Sequence, residues 1–489
     1  MPKFEIKHRK TGKVIFSGTA SSLKEVVQSA ATSGMDGSVS RLVLTKLRVT
    51  KTEKTKLYSA DLAGADLSGV DLSGAVFSGS DLTGADLSGS MLKKVDLSRA
   101  ELARAYLGRA TLDEADLTEA NLSGAELKAA KLEGTNFTGA NLSGADLSGT
   151  RLNKAIWTKA DLSGASLGGS DLSRIQLVGN KLVKADLSFS RLAAAKLTHA
   201  DLTEAKLERA DLSGANLSGA RLVAADLSEA NLEGADLSDA NLEGAILSGA
   251  KLNKANLSKA QLKGVKLDGA KLGEAVLTEA TLLGANLNDA DAMGADLSQA
   301  DLCKATLRNA KLNEAKLSAA QLDSANLSGA ELIEADASGA RLTNADLTET
   351  KMDGANLSRA DMSNSDLTKA RLNKSNMTSA VLVSAILKGA QVVGANGSGA
   401  DMRGADLSEA DFHGSKLDSA DLSGSKMVQT KLSGVSLIGT KLVGADLSLA
   451  DFSWATIDGA DFTKVTVAKT NFRGAQLNNV KGIRFKKKE

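Results

Sequence analysis

From Leu57 to Leu477 the chain returns to one inward-type position every five residues, 85 times in succession, without an insertion or deletion. The stretch GADLSDANLEGA (234–245) shows the unit: a Leu, an Asp or Asn just before it, and an Ala two places before. Neither regular element accommodates this spacing. On an α-helix five residues turn the chain by about 500°, so each Leu would sit about 140° round from the last and no apolar stripe would form. On a straight strand side chains alternate, so Leu237 and Leu242 would face opposite sides of a sheet. A leucine that faces inward at every fifth residue requires the chain to turn once per pentad, which makes a solenoid with corners.

Composition narrows the interior. Leu fills 67 of the 85 central positions; Phe, Met and Val supply most of the rest, with Trp157 and the small exceptions Ala292, Ala337 and Gly397. Aromatic content is only 3%, so the core is narrow and built from Leu and Ala. Forty-six Gly against one Pro (Pro2) point to corners made by Gly, Ser and Asn. The residue after the central one, sampled at every fourth pentad from Ser78 to Ser398, is Ser or Thr in 16 of 17 cases, broken only by Val178. That column reveals a longer period of four pentads per coil.

The repeated A-(D/N)-L-x-x unit resembles the pentapeptide-repeat family over residues 55–480, 426 of the 489. The resemblance implies an all-β fold: a right-handed quadrilateral parallel β-helix with the Leu and the small residue inside and the other three positions outside. At ~4.8 Å between neighbouring strands, about 21 such coils would form a rod of roughly 100 Å. Each coil would touch mainly its neighbours, so stability would be local.

The ends differ from the array. Residues 1–40 are expected to form a cap: FEIKHRKTGKVIFSG (4–18) alternates and turns at Thr11–Gly12 like a β-hairpin, and SLKEVVQSAATSG (22–34) has the apolar spacing of a short amphipathic helix capped by Ser22. The array is expected over 41–480, with Leu42 and Leu47 already in phase, and a basic tail over 481–489. Phe452, Ile457, Phe462, Val467 and Phe472 replace Leu near the end. Phe452, Phe462 and Phe472 are therefore candidate end contacts for a partner, together with Lys486, Lys487 and Lys488 of the tail. Those lysines also suit protection of an open strand edge. The net charge of +1 divides into +7 over residues 1–54, −10 over 55–480 and +4 over 481–489. The opening MPKFEIKHRK lacks the apolar run of a signal peptide, and no stretch reaches the ~20 apolar residues of a membrane span, so a cytoplasmic or virion-borne protein is expected. A lone Cys303 fits a reducing compartment.

Chemistry is scarce. His8, His199 and His413 are far apart in sequence, Cys303 occupies an outward position, and P-loop, dinucleotide, H-E-x-x-H and C-x-x-C motifs are missing. No catalytic, cofactor-binding or metal-binding residue is assigned. Same-side Asp residues such as Asp61 and Asp81 would stack, but calcium sites need six to eight oxygens on a bent loop, so Asp and Asn are read as capping backbone groups at corners. Ser218, Ser238, Ser258, Thr278 and Ser298 of the hydroxyl column could likewise serve the turns, or present a flat docking face. Three irregularities stand out: Trp157 beside Phe137, buried-type Asn180 after Ile175, and Gly397, which suggests a soft spot near 392–402 that Met377 would partly fill.

Two functions suit such a chain. The first is a rigid, non-enzymatic rod acting as a scaffold or protein–protein interaction module through its ends or one flat side, in a phage particle or bacterial assembly. The second comes from the family resemblance, which implies DNA mimicry that modulates or protects DNA gyrase or topoisomerase IV. Duplex DNA carries one charge per ~1.7 Å, or about 60 over the expected length, against this array's −10. The uninterrupted phase and the lack of a helical C-terminal cap also depart from that group. Nucleic-acid binding by the basic termini is a lesser alternative.

Overall fold

The structure is a computed structural model, and it describes the backbone of 3–8, 14–19 and 40–43 and the residues 62–64, 67–69, 71–152 and 154–483. The chain divides into two compact units, Met1–Ala245 and Ile246–Glu489.

The first unit opens with an antiparallel sheet in the order β2-β1-β3, where β1 is Lys3–His8, β2 Val14–Thr19 and β3 Ser40–Val43. The pairing of Lys3 with Thr19 and Lys7 with Val14 is that of the expected hairpin. Leu42 differs from expectation: it pairs with Ile6 inside β3 rather than opening the array. The reason is local. Arg41 precedes it and Leu44 follows two places on, so the segment carries neither the Asp nor the Gly that make a corner. The helix expected over 22–34 lies outside the described residues.

The rest of the unit is a right-handed quadrilateral β-helix. Each described coil pairs in parallel with the next at a register of four pentads, as in Asp81 with Glu101 and Asp201 with Arg221. The second unit repeats the architecture, from Ile246 with Lys266 to Asp461 with Lys481. Central Leu and the preceding Ala are buried along the described coils up to the last one, as at Ala235 and Leu237 in the first unit and Ala315 and Leu317 in the second, while Ala475 and Leu477 are half-buried. Fully burying a Leu contributes about 1.5–3 kcal/mol, the main favourable term for each corner.

Backbone hydrogen bonds explain the consensus. In the pentad at Leu72, the Leu N–H donates to Met91 O one coil on (2.8 Å), Gly74 N–H to Lys93 O (2.8 Å), and Ala75 N–H closes the turn on Leu72 O (3.1 Å). The residue before the Leu donates backwards, as Asp96 does to Ala75 O (2.9 Å). Only the N–H just after the Leu lacks a backbone acceptor, and an orphan buried donor is costly. Asp71 Oδ1 accepts it from Ser73 (3.0 Å), and the same bond recurs along both units. Asp and Asn are therefore corner caps, as expected.

Each corner's last residue has φ between 53° and 72°, the left-handed conformation that such a turn requires. Glycine serves there at no steric cost, whereas Phe189, Leu449 and Trp454 adopt it with bulky side chains. At Gly474 absence of a side chain is required twice over: φ is +70°, and the Trp454 indole lies where a Cβ would stand, 2.6 Å from its Cε3.

Candidate interaction surface

Side chains outside the core are used first by the fold itself. Ser218 donates from both N–H and Oγ to Asn216 Oδ1 (2.9 and 2.7 Å), and Ser258 does the same to Asn256 (3.1 and 2.7 Å). Ser238 and Ser298 donate their N–H to Asp236 and Asp296, and Ser318 Oγ reaches Ser298 Oγ at 3.1 Å. These hydroxyls and Thr278 are half-buried. In the candidate docking column, Ser218, Ser238, Ser258 and Ser298 are thus already engaged at their corners.

A second capping device was not anticipated from the sequence. Where the residue before the Leu cannot cap, an Asp or Asn just after the Leu of the preceding coil does so instead. Asn253 Oδ1 accepts from Gly273 N–H (3.0 Å), Asn288 from Arg308 (2.9 Å), Asn313 from Ile333 (2.9 Å), Asn373 from Val393 (3.0 Å), Asp113 from Glu133 (3.0 Å) and Asp418 from Ile438 (2.9 Å). The local positions in those pentads are Lys271, Thr306, Glu331, Gln391, Lys131 and Ser436, none of them Asp or Asn. The signal is present in the sequence, but only when every fourth pentad is set in one column.

Charged side chains follow the same columns. Arg209 forks onto Glu229 one coil on (2.8 and 3.1 Å), Arg99 holds Glu119 (2.9 Å) and Lys351 holds Glu331 (2.8 Å). The Arg209 guanidinium holds the Glu229 carboxyl below its ordinary range. Such exposed pairs are screened by solvent and weak, so they favour one stacking order more than they stabilise it. Asp171 is held low mainly by the Ser173 hydroxyl, and Asp461 by the Thr463 hydroxyl.

The reactive side chains sit in ordinary places. Cys303 is half-buried with Sγ 3.7 Å from Asp323 Oδ2; burial, then Asp301, pushes its thiol up to about 11, so thiolate is scarce at neutral pH. His199 occupies a corner with φ 54°, its ring over Gly219, and His413 is exposed with its N–H on Asp411 Oδ1 (3.1 Å). Among the described residues no three His, Cys, Asp or Glu converge as a metal site, and no helix is long and apolar enough to cross a membrane.

The end contacts need correction. Phe452 and Phe462 are fully buried and Phe472 half-buried; Phe472 stacks on Phe452 at 5.2 Å and meets Phe462 edge-on at 6.2 Å. They form the core of the last coils, because a central position faces inward whatever side chain fills it. Lys486, Lys487 and Lys488 lie outside the described residues. Exposed apolar side chains nearby include Leu449 and Trp454, which the sequence pattern does not single out, and Val467, a central residue that is exposed near the last described coil.

The three irregularities resolve differently. Trp157 is buried and stacks on Phe137 at 4.4 Å and 13°. Asn180, also buried, donates to Trp157 O (2.6 Å) and Ala160 O (3.0 Å), so the two oddities form one construction. At Gly397, Leu417 Cδ2 and Met402 Cε approach the place a side chain would take, and the Gly397 N–H bonds Lys416 O at 2.7 Å.

A family model described as pentapeptide repeats matches in overlapping segments from 60–99 to 445–481, with a gap at 178–184. No curated protein matches the chain significantly. Among solved structures, it is similar to HetL, a pentapeptide repeat protein involved in heterocyst differentiation regulation from the cyanobacterium Nostoc sp. strain PCC 7120, at 29% identity over 43% of this chain and 88% of that one (TM-score 0.27). Rfr23, a pentapeptide repeat protein from the cyanobacterium Cyanothece 51142, is 28% identical over 19% and 64% (TM-score 0.19). QnrB1, a plasmid-mediated fluoroquinolone resistance protein, is 21% identical over 36% and 84% (TM-score 0.18).

Proposed function

This chain belongs to the pentapeptide repeat family, and on that premise we propose that it works without catalysis, as a scaffold whose sides receive a protein partner. The supporting observation is how its polar groups are used. Asp, Asn, Ser and Thr cap corners, Lys and Arg pair along columns, and the half-buried Cys303 thiol is held protonated. Catalysis needs a nucleophile or base brought against a second group in a pocket, and these side chains are spread evenly instead. What the coils offer is a large regular surface at fixed spacing.

A gyrase-directed DNA mimic is the second reading, prompted by the similarity to a fluoroquinolone resistance protein. It carries less weight, because a net −10 spread over the whole of 55–480 is far from the charge density of a duplex. The lone Cys303 fits a reducing compartment, so cytoplasmic extract is the material to probe. The test is site-directed photo-crosslinking of the full chain in that extract with nuclease present, placing the crosslinker on each side in turn. Crosslinks to a protein that recur at every fourth pentad on one side support the scaffold. Crosslinks to a gyrase or topoisomerase subunit move the conclusion to mimicry, and turnover of a small molecule by the purified chain overturns both.

A further inference from the structure

One side of the first unit departs from its own pattern over four successive coils. Segments 133–139, 154–159, 173–179 and 193–199 stack there, each one coil beyond the last. On the coil before them this side carries Asp113, Glu114, Asp116 and Glu119, of which Glu114 pairs with Lys93 and Lys94 and Glu119 with Arg99 of the coil before that; two coils after them it carries Glu233, Asp236 and Asp239. In between, the four segments hold Lys154, Lys159, Arg174 and Lys196 against a single carboxylate, Glu133, which Lys154 already engages at 2.5 Å. A basic island lies between acidic coils.

Its centre is apolar. Ile156 takes the place of a capping Asp or Asn and is 49% exposed; Val178 takes the place of a hydroxyl on the next coil and is 54% exposed. In regular pentads those positions are half-buried by their mutual hydrogen bonds, whereas here Ile156, Thr158, Gln176 and Val178 stand out from the surface. Val178 is also the one break in the hydroxyl column, and the family match lapses at 178–184. Stacking Trp157 on Phe137 needs only inward positions and does not require Ile156 or Val178, which point the other way. Their placement is therefore left unexplained by folding.

We propose that this island is a docking site for a protein partner that presents an acidic segment with an apolar side chain among its carboxylates. The inference rests on the scaffold reading and names the partner's chemistry. Charge complementarity carries it: Lys159 shares a coil with Ile156, Arg174 shares one with Val178, and Lys196 stands on the next coil in register with Gln176. A nucleic acid suits the island less well. Its backbone presents a charge every ~1.7 Å and rewards a continuous cationic track, while this site is two coils wide at its centre and apolar there.

The probes are a fluorescent peptide of Glu pairs separated by Leu, a second with Ser in place of Leu, and a mixed-sequence DNA duplex, each titrated into the full chain at low salt. Binding of the Glu–Leu peptide is expected to be saturable and tighter than that of the Glu–Ser peptide. It should weaken about tenfold or more in Ile156→Asp/Val178→Ser, which restores the repeat consensus and so preserves folding, and in Lys159→Gln/Arg174→Gln. Lys251→Gln/Lys271→Gln in the second unit should leave it unchanged. Equal binding by all variants, or no saturable binding, overturns the proposal. DNA binding that is tighter than peptide binding and lost in the same variants also overturns it, reassigning the island to a polyanion. If the peptide fails while photo-crosslinks place a protein partner on another side, the island falls and the scaffold stands. If crosslinks fail as well, the scaffold reading falls with it.

Discussion

Two regions of this molecule stack aromatic rings in a core built for leucine, and the backbone responds differently in each. In the second unit Phe472 lies over Phe452 at 5.2 Å, and the bonds between coils beside them stay short, Phe452 N–H to Asn471 O at 2.7 Å and Ile457 to Gln476 O at 2.8 Å, while the turn bond from Val465 to Phe462 O lengthens to 3.4 Å. In the first unit Trp157 lies on Phe137, and the ladder nearby stretches to 3.2 Å from Leu152 to Asp171, 3.4 Å from Gly149 to Gly168 and 3.5 Å from Ala129 to Ser148. The difference is position. Phe472 sits in the last described coil and stays half-exposed. Trp157 is followed by more coils, and a closely packed interior transmits its extra volume to the backbone. Asn180 then supplies two hydrogen bonds to carbonyls at the swelling. The Trp157–Phe137 stack thus comes with an accessory residue, which the single buried ring of Phe412 does without.

The comparison can be broken at several points. Trp157→Ala should cost about 3–5 kcal/mol, read as a lower urea midpoint for the first unit, because a large buried ring leaves a cavity. A loss below about 1 kcal/mol would mean that the coils collapse onto the gap. Asn180→Ala should cost about 1–3 kcal/mol through loss of both bonds, with Trp157 O keeping the Ala160 N–H at 3.0 Å. The same change in a Trp157→Leu background should cost much less, and a double-mutant cycle reads that coupling directly. Phe472→Ala, at the end, should cost less than Trp157→Ala, since the ring is already half-exposed; equal losses would erase the distinction between end and interior.

Smaller effects sharpen it. Trp454→Gly should raise the second unit's thermal midpoint slightly, by relieving about 1–2 kcal/mol of left-handed backbone cost at φ 60°, offset by lost contact over Gly474. The least effect is expected from acid. Asp171 sits beside the swelling and Asp461 among the terminal phenylalanines, and both are depressed by a hydroxyl two residues on. A depressed carboxyl stabilises the fold above its ordinary value near 3.9 and loses that contribution as pH falls through the lower folded value. Asp171→Asn retains the cap on Ser173 but removes the titration, so acid unfolding of the first unit should become shallower below about pH 4, as followed by circular dichroism. An unchanged acid limb would show that Asp171 contributes nothing.

Much of this was legible in the sequence because one position repeats. The five-residue return of Leu excludes helix and flat strand, and the hydroxyls from Ser78 to Ser398 count four sides without a structure. The role of Asp and Asn at corners also followed from their preference for local backbone groups. What escaped were features set by neighbours a full coil away. Asn253 and Gly273 look ordinary until they are stacked, and Asn180 looks like a defect until Trp157 O is placed above it. The approach to Gly397 depended on how far Leu417 could lean. Phe452 and Phe462 were misread as contacts because unusual residues near a terminus suggest a partner, although their central position already assigned them to the core. The basic island was hidden for the same reason as Asn253: Lys154, Arg174 and Lys196 belong together only when the chain is wound.

The four-pentad period also governs what an insertion or deletion does. Within one unit, removing a single pentad leaves every Leu and Ala inside and every turn closed, yet it rotates all downstream sides by a quarter turn. Only pairs that straddle the cut are broken: a pentad lost between 209 and 229 parts Arg209 from Glu229, one lost between 253 and 273 takes the Asn253 cap from Gly273, and one lost between 156 and 178 parts Ile156 from Val178. Removing four pentads restores every column. Such a chain therefore tolerates length changes in fives as a fold and in twenties as a surface, and drift in its copy number acts as a rotary dial on whatever its sides present.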